Sequence, residues 1–413
     1  MKKFATLLFR AVMIAVCCFA IWMSVRHARA NLAAAGWPKG PAMERAVRIE
    51  PENVDLVAGN AVLKSDDDDP SPTLNEELLQ AARLDPYNSQ LLIALGLRAE
   101  FRGDNSLAES YLAKAAEIDH SFTPGWTYAS FCVRNGKPDK FWGMAKRCLS
   151  LDPLLLDPRP VFDLAWRVTD DPIKIRSMLP QKGQRLVDYL NYLMDTKRID
   201  AAAGIWPEAL NALDPSLLSN VALALAYCDF MAANNRTPNA VEAWNQLVNR
   251  SLIRSGHLDP ATGVSIADPD FTFPPAKGIF GWQVAGTDGV FVTSGASALR
   301  FELDGNEPEA VTLLSTTAAV LPRKAYRLEW KYDSSQLSSP RDRGFELHIV
   351  QQPGSVATAC GPFLGAGEGG ACAFTAGPDI QRVRIELRYA RASGTTRARG
   401  ALLISSVRLG FGS

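Results

Sequence analysis

The sequence predicts a multidomain chain, helical first and β second. An N-terminal transmembrane anchor is followed by an α-solenoid of helical hairpins and a C-terminal antiparallel β-sandwich. Three observations carry this. An apolar helix end closing in an acid, usually with a proline, recurs as Ile49-Glu50-Pro51, Leu84-Asp85-Pro86, Ile118-Asp119-His120 and Leu151-Asp152-Pro153. Its acids stand 35, 34 and 33 residues apart, and a period near 34 residues marks a helix–turn–helix solenoid. Beyond residue 257 Gly, Pro, Thr and Ser rise, and period-two alternation replaces the helical stripe. An apolar run between basic flanks opens the chain.

Residues 1–30 read as the targeting segment. Lys2, Lys3 and Arg10 precede fifteen apolar or small residues, Ala11 to Val25, and Arg26, His27 and Arg29 follow. A free-standing span needs about 20 apolar residues; Phe4 to Phe9 supply the rest if Arg10 snorkels. A signal peptide opens in the same way, and Ala28-Arg29-Ala30 fits its cleavage rule. The basic patch is an unusual lead-in to cleavage, so an uncleaved signal anchor is favoured. Either reading exports the remainder, which is expected to be periplasmic on a single-pass protein of the bacterial inner membrane.

Residues 31–257 are assigned to the solenoid. Met43, Ala46 and Ile49 form one stripe of a short lead-in, a candidate capping half-repeat. In the best unit Leu92, Leu95, Gly96 and Ala99, then Ala108, Leu112 and Ala115, fall at helical spacing around the Arg102-Gly103-Asp104 turn. The next unit carries Trp126, Ala129, Val133, Phe141, Ala145, Cys148 and Pro153, and a weaker one before it carries Val57, Ala61, Leu74, Leu78, Ala81 and Pro86. These positions resemble the tetratricopeptide repeat (TPR) family, with His120 where the family has proline and Asn60 where it has leucine. The resemblance implies a concave groove lined by Gln90, Ile93, Leu97, Glu100, Thr127, Phe131 and Arg134, suited to an extended peptide or a partner helix of another protein. The opposing possibility is that the last helices or the β-domain fill that groove. After Pro153 the strict period fades while helices continue to Ile253, giving about five or six hairpins in all.

Residues 262–413 are assigned to the sandwich. Strands are expected at Gly289–Thr293, Ala298–Leu303, Val311–Ser315, Ala325–Tyr332, Phe345–Val350, Gln381–Tyr389 and Ala401–Leu409. Their pattern, with Trp282 and the closing Leu402 to Leu409, resembles jelly-roll modules of the galactose-binding-like and carbohydrate-binding class. Strand phase sends most aromatics inward and leaves an Arg/Glu face, which most often makes cross-strand ion pairs. Two modes of glycan binding stay open: stacking on Phe280 and Trp282, or polar recognition by Arg300, His348 and Arg388.

Lys plus Arg equals Asp plus Glu at 44 each, so no bulk field argues for nucleic acid. No nucleophile elbow, zinc helix or phosphate loop is present in the sequence, and no GxGxxG opens a helix after a strand. No cofactor, metal or catalytic residue is assigned, and the protein is expected not to be an enzyme. Asp66 to Asp69 read as a solvated turn, and Gly365 to Gly370 as a loop. Cys360 and Cys372 bracket that loop in a domain assigned to an oxidising compartment, and are expected to be bonded. The expected role is a membrane-anchored scaffold or adaptor of the cell envelope, holding a protein and possibly a polysaccharide in exopolysaccharide or O-antigen assembly. A glycan-processing enzyme with a catalytic β-domain, or a cytoplasm-facing adaptor, are the alternatives.

Overall fold

The computed structural model describes residues 2–412 apart from 37, 66–71, 152–156, 182, 276, 296, 339–343, 355, 364–368, 392–393 and 395. The acidic run Asp66 to Asp69, the Asp152-Pro153 signature and Gly365 to Glu368 lie outside the described residues. The chain divides into two compact units, 1–181 and 182–413.

The first unit is helical: α1 (Lys2–Ala34), α2 (Lys39–Ile49), α3 (Val54–Ser65), α4 (Pro72–Leu84), α5 (Ser89–Phe101), α6 (Asn105–Ile118), α7 (Phe122–Arg134), α8 (Pro138–Leu149), α9 (Arg159–Val168) and α10 (Pro172–Arg176). Sequence punctuation sets the hairpins. Asn88 caps α5 by accepting from the Gln90 and Leu91 N–H groups, and Asp104 caps α6 through Leu107. Between them Gly103 takes φ +81°, a left-handed turn that favours glycine. A Cβ at Gly96 would come within 2.6 Å of the Leu112 side chain, so glycine is what lets α5 close on α6. The alternate helices α3, α5, α7 and α9 also touch one another, which ranks them side by side as tetratricopeptide-like repeats do.

The opening helix does not stop at residue 30. It runs unbroken to Ala34, and its last turns belong to the folded unit. Ala30 is fully buried with Ala46 and Leu56. The Arg26 guanidinium donates to the Ile49 carbonyl at 2.8 Å and pairs with Glu52, while His27 Nδ1 lies 3.1 Å from Glu50. Residues Phe9–Ala34 are long and apolar enough to cross a membrane. One helix therefore supplies both the apolar stretch and the first buttress of the repeats.

The second unit opens with two more hairpins, α11 (Gln184–Asp195) with α12 (Ile199–Ala212), and α13 (Leu218–Ala233) with α14 (Thr237–Asn249). Trp206 of α12 stacks on Tyr227 of α13 with ring centroids 4.1 Å apart. A two-sheet antiparallel sandwich follows: β1 (Gln283–Val284), β2 (Val290–Gly295), β3 (Ala298–Leu303), β4 (Ala310–Ala319), β5 (Ala325–Asp333), β6 (Phe345–Gln352), β7 (Ala357–Pro362), β8 (Gly370–Thr375), β9 (Arg382–Ala390) and β10 (Gly400–Phe411). One sheet orders β1-β4-β9-β6-β7 and the other β2-β3-β10-β5-β8. Alternation builds the core: on β5, Tyr326, Leu328, Trp330 and Tyr332 are buried while Arg327, Glu329 and Lys331 are exposed.

The seven expected strands are present. The three others, β1, β7 and β8, are short or built mostly from Ala, Gly, Thr and Cys, residues that leave little alternating apolar signal. The change of composition near residue 258 falls inside a compact unit, because α13 and α14 are bonded to the sandwich. The Ile279 N–H donates to Asp229 Oδ1 at 2.7 Å, Arg382 donates to the Ala232 carbonyl, and Trp244 meets Phe280 edge-on at 5.6 Å. Burial raises the Asp229 carboxyl's pKa, which the Ile279 N–H partly offsets.

Candidate binding surfaces

The helical phase ranks the groove positions on α5 and α7, but their exposure differs. Gln90 is exposed and Leu97 is 42% exposed. Glu100 accepts from Arg134 at 2.9 and 2.7 Å and from Asn135 at 3.1 Å, so two groove residues join one repeat to the next. Thr127 turns its hydroxyl back to the Thr123 carbonyl at 2.8 Å. Ile93 and Phe131 do not offer the apolar surface expected of them. They are 7% and 0% exposed, and Phe131 stacks on Tyr128. A large apolar side chain gains about 1.5–3 kcal/mol on burial, which favours the interior wherever a helix face can reach it. Phe101, which sequence reasoning passed over, is 85% exposed at the end of α5.

Beside these residues lies a charge cluster the sequence did not single out. Glu109 of α6 accepts from Lys137 and Lys140 at 2.5 Å each, and from the Tyr128 hydroxyl at 3.3 Å. These contacts, Lys137 first and Lys140 next, lower the Glu109 carboxyl from 4.5 to about 2.

In the sandwich the aromatic candidates are interior. Phe280 and Trp282 are 1% and 5% exposed, which corrects their assignment as stacking platforms. Trp282 tilts against Phe271 at 5.0 Å and donates its indole N–H to the Asp268 carbonyl at 2.7 Å. With ring and N–H both satisfied, burial is the stable arrangement. Phe363 likewise stacks on Tyr332 at 4.3 Å.

The polar candidates divide between the sheets. His348 and Arg388 lie on adjacent strands β6 and β9, where Glu346 faces Arg388 and His348 faces Glu386. Glu386 binds Arg384 at 3.0 Å and Arg388 at 2.5 Å, and His348 lies 3.1 Å from Glu346. These close contacts run along each strand between residues two apart, rather than across strands as expected. Arg300 is on the other sheet, donating to Glu302 at 2.8 Å and Gln336 at 3.0 Å. The structure thus brings His348 and Arg388 together and places Arg300 apart.

Two clefts on the sheet that holds Arg300 were not anticipated. One of about 880 Å³ and one of about 300 Å³ share Arg327, Glu329 and Arg408. A third cavity, of about 770 Å³, lies between α14 and the β4–β5 turn. Within it Asn245 exchanges two bonds with the Leu258 backbone, while the buried Gln381 Oε1 has no hydrogen-bond partner among the described residues.

Cys360 of β7 and Cys372 of β8 form a disulfide with Cα atoms 5.5 Å apart, joining the edge strands of the two sheets. Cys132, Cys148 and Cys228 are free and buried, and burial pushes the Cys148 thiol up to about 11. Among the described residues no group of three His, Cys, Asp or Glu is placed to hold a metal.

No protein-family model and no curated protein matches this chain. Among solved structures it is similar to CBM4, at 15% identity over 36% of this chain and 100% of that one, with a TM-score of 0.26. It is also similar to YrrB, a TPR protein with an unusual peptide-binding site, at 12% identity over 50% and 91%, TM-score 0.26. A third likeness is to TmCBM61, solved with beta-1,4-galactotriose, at 18% identity over 32% and 88%, TM-score 0.23.

Proposed function

We propose that this chain is a non-enzymatic adaptor held at a bacterial inner membrane, with its bulk in the periplasm. Its helical hairpins hold a protein partner, and its sandwich holds a glycan, in the assembly or export of exopolysaccharide or O-antigen. The observation that carries the reading is α1. Its Phe9–Ala34 stretch is long and apolar enough to cross a membrane, and its most apolar part is not buried. Apolar surface on that scale, continuous with packed structure, is what a bilayer covers. The packing of Arg26, His27 and Ala30 against α2, α3 and their connection supports retention, because cleavage after Ala30 would cut through a folded helix. The Cys360–Cys372 bond supports an oxidising compartment. Exposed Gln90, Leu97 and Phe101 support a docking face on the repeats.

Reporter fusions test the orientation. A phosphatase joined after Ser413 is expected to be active in cells. An inactive phosphatase together with an active cytoplasmic reporter at the same position would overturn the periplasmic assignment.

A further inference from the structure

The outer face of the sheet β2-β3-β10-β5-β8 is built differently from the closed ladder on the opposite sheet. β5 presents Arg327, Glu329 and Lys331, and its neighbour β8 places Ala373 and Ala371 beside the first two. Long charged side chains therefore stand next to methyl groups, and the surface is recessed between them. On the other flank β10 carries a bulge between Ile404 and Ser406, level with Tyr332 and Lys331. That extra residue brings both Ser405 and Ser406 to the cleft wall. Bulges re-aim side chains in this way and concentrate beside functional sites.

The charges in this recess are unequal. Arg327 donates to Glu329 at 2.8 Å, and Arg408 binds both Asp270 oxygens at 2.8 and 2.7 Å. Among the described residues no acid pairs with Lys331, so three cations face two carboxylates. The volume of about 880 Å³ lies within the ordinary range of about 300–1,000 Å³ for ligand clefts.

A protein partner fits poorly. Protein hot spots are aromatic and aliphatic anchors in dry pockets, whereas glycine, alanine, serine and charged groups line this recess, and its one aromatic, Trp330, belongs to the core and is 6% exposed. Strand addition is closed as well, since β5 and β10 are each paired on both sides. A hydroxyl-rich ligand bearing a negative charge matches hydroxyls, carboxylates, guanidinium groups and one unmatched ammonium.

The geometry points to this cleft as the binding site for an acidic saccharide chain, with a uronate carboxylate on Lys331. Its hydroxyls are taken by Ser405, Ser406 and the Arg327–Glu329 and Arg408–Asp270 pairs. The inference rests on the glycan-binding reading above and moves the site away from Arg300, His348 and Arg388.

Calorimetric titration of the full chain in detergent, with oligogalacturonate and with neutral galacto-oligosaccharide, tests it. Oligogalacturonate is expected to bind more tightly, and added salt to weaken it. Lys331→Ala should weaken it about tenfold, Lys331→Arg should largely retain it, and Arg388→Ala should leave it unchanged. Binding lost in Arg388→Ala but intact in Lys331→Ala would move the glycan to the opposite sheet, overturning this site while sparing the glycan-binding reading. Binding indifferent to all three substitutions, or tighter binding of the neutral sugar, would also overturn it. No saccharide bound by a folded chain would remove both and leave the face to a protein.

Discussion

The helical hairpins and the sandwich spend their charges in opposite ways. In the first unit, several ion pairs join one hairpin to the next: Glu100 with Arg134, and Glu109 with Lys137 and Lys140. In the sandwich the pairs are mostly two residues apart on one strand: Arg300 with Glu302, Arg327 with Glu329, and Glu386 with Arg384 and Arg388. A repeat array contacts only its neighbours, so a charge bridging two repeats acts on the weakest direction of the structure. A sandwich is already closed by its core and its ladders, and charges along one strand only dress a finished face. Cores differ in the same sense. Small residues such as Gly96 set the helix spacing, whereas rings such as Trp282 and Phe271 fill the sandwich.

Three substitutions sharpen this contrast. The largest effect is expected at Trp282→Ala, which empties a ring site in the sandwich core and leaves the Asp268 carbonyl without its donor. About 3–5 kcal/mol should be lost, read as a fall in the calorimetric transition of the second unit. A loss below about 1 kcal/mol would show that the core closes over the gap.

An intermediate effect is expected at Glu109→Gln. The carboxylate is ordinary at 4.5 in the unfolded chain and falls to about 2 when folded. A depressed carboxyl contributes stability that is full above about 4.5 and disappears as pH drops through about 2. Wild type should therefore lose stability between these values, and Glu109→Gln should lose less there. At neutral pH the variant should be weaker by about 1 kcal/mol. Superimposable pH profiles would show that Lys137 and Lys140 do not stabilise the junction.

The smallest effect belongs to Arg300→Ala. Its pair with Glu302 is exposed, and such pairs contribute about 0–1 kcal/mol. A shift no larger than this in thermal melting is expected. A larger shift would mean that same-strand charges hold the sandwich together after all.

The helical repeats were legible because the acid closing each one marks the period, and because Gly96, Ala99 and Ala108 announce a close approach. Seven of the strands were legible from alternation. What the sequence concealed was pairing in three dimensions. Phase put Ile93 and Phe131 on the right helices, yet only packing tells which apolar residue finds an interior. Phe280 and Trp282 lay outside the strand phase and looked available, but Trp244 and Phe271 occupy their faces. The residue-258 boundary in composition was visible; the bond from Asp229 to the Ile279 N–H, which joins helices to sandwich, has no periodic signature. The cleft left two faint signals: Lys331 follows an already matched Arg327 and Glu329, and its neighbours on β8 are small. The bulge in β10 left none.

The unbroken course of α1 has a mechanical consequence. With Phe9 to Val25 in a bilayer, no joint lies between the lipid-embedded turns and the turns carrying Arg26, His27 and Ala30. The helix then acts as a shaft, and any tilt imposed by the bilayer is delivered to α2 and α3 as torque. Angular register is also fixed along it. One residue inserted near Val25 would turn the first unit about 100° around the shaft and lift it about 1.5 Å, pointing Leu97 and Phe101 in a new direction relative to the membrane plane.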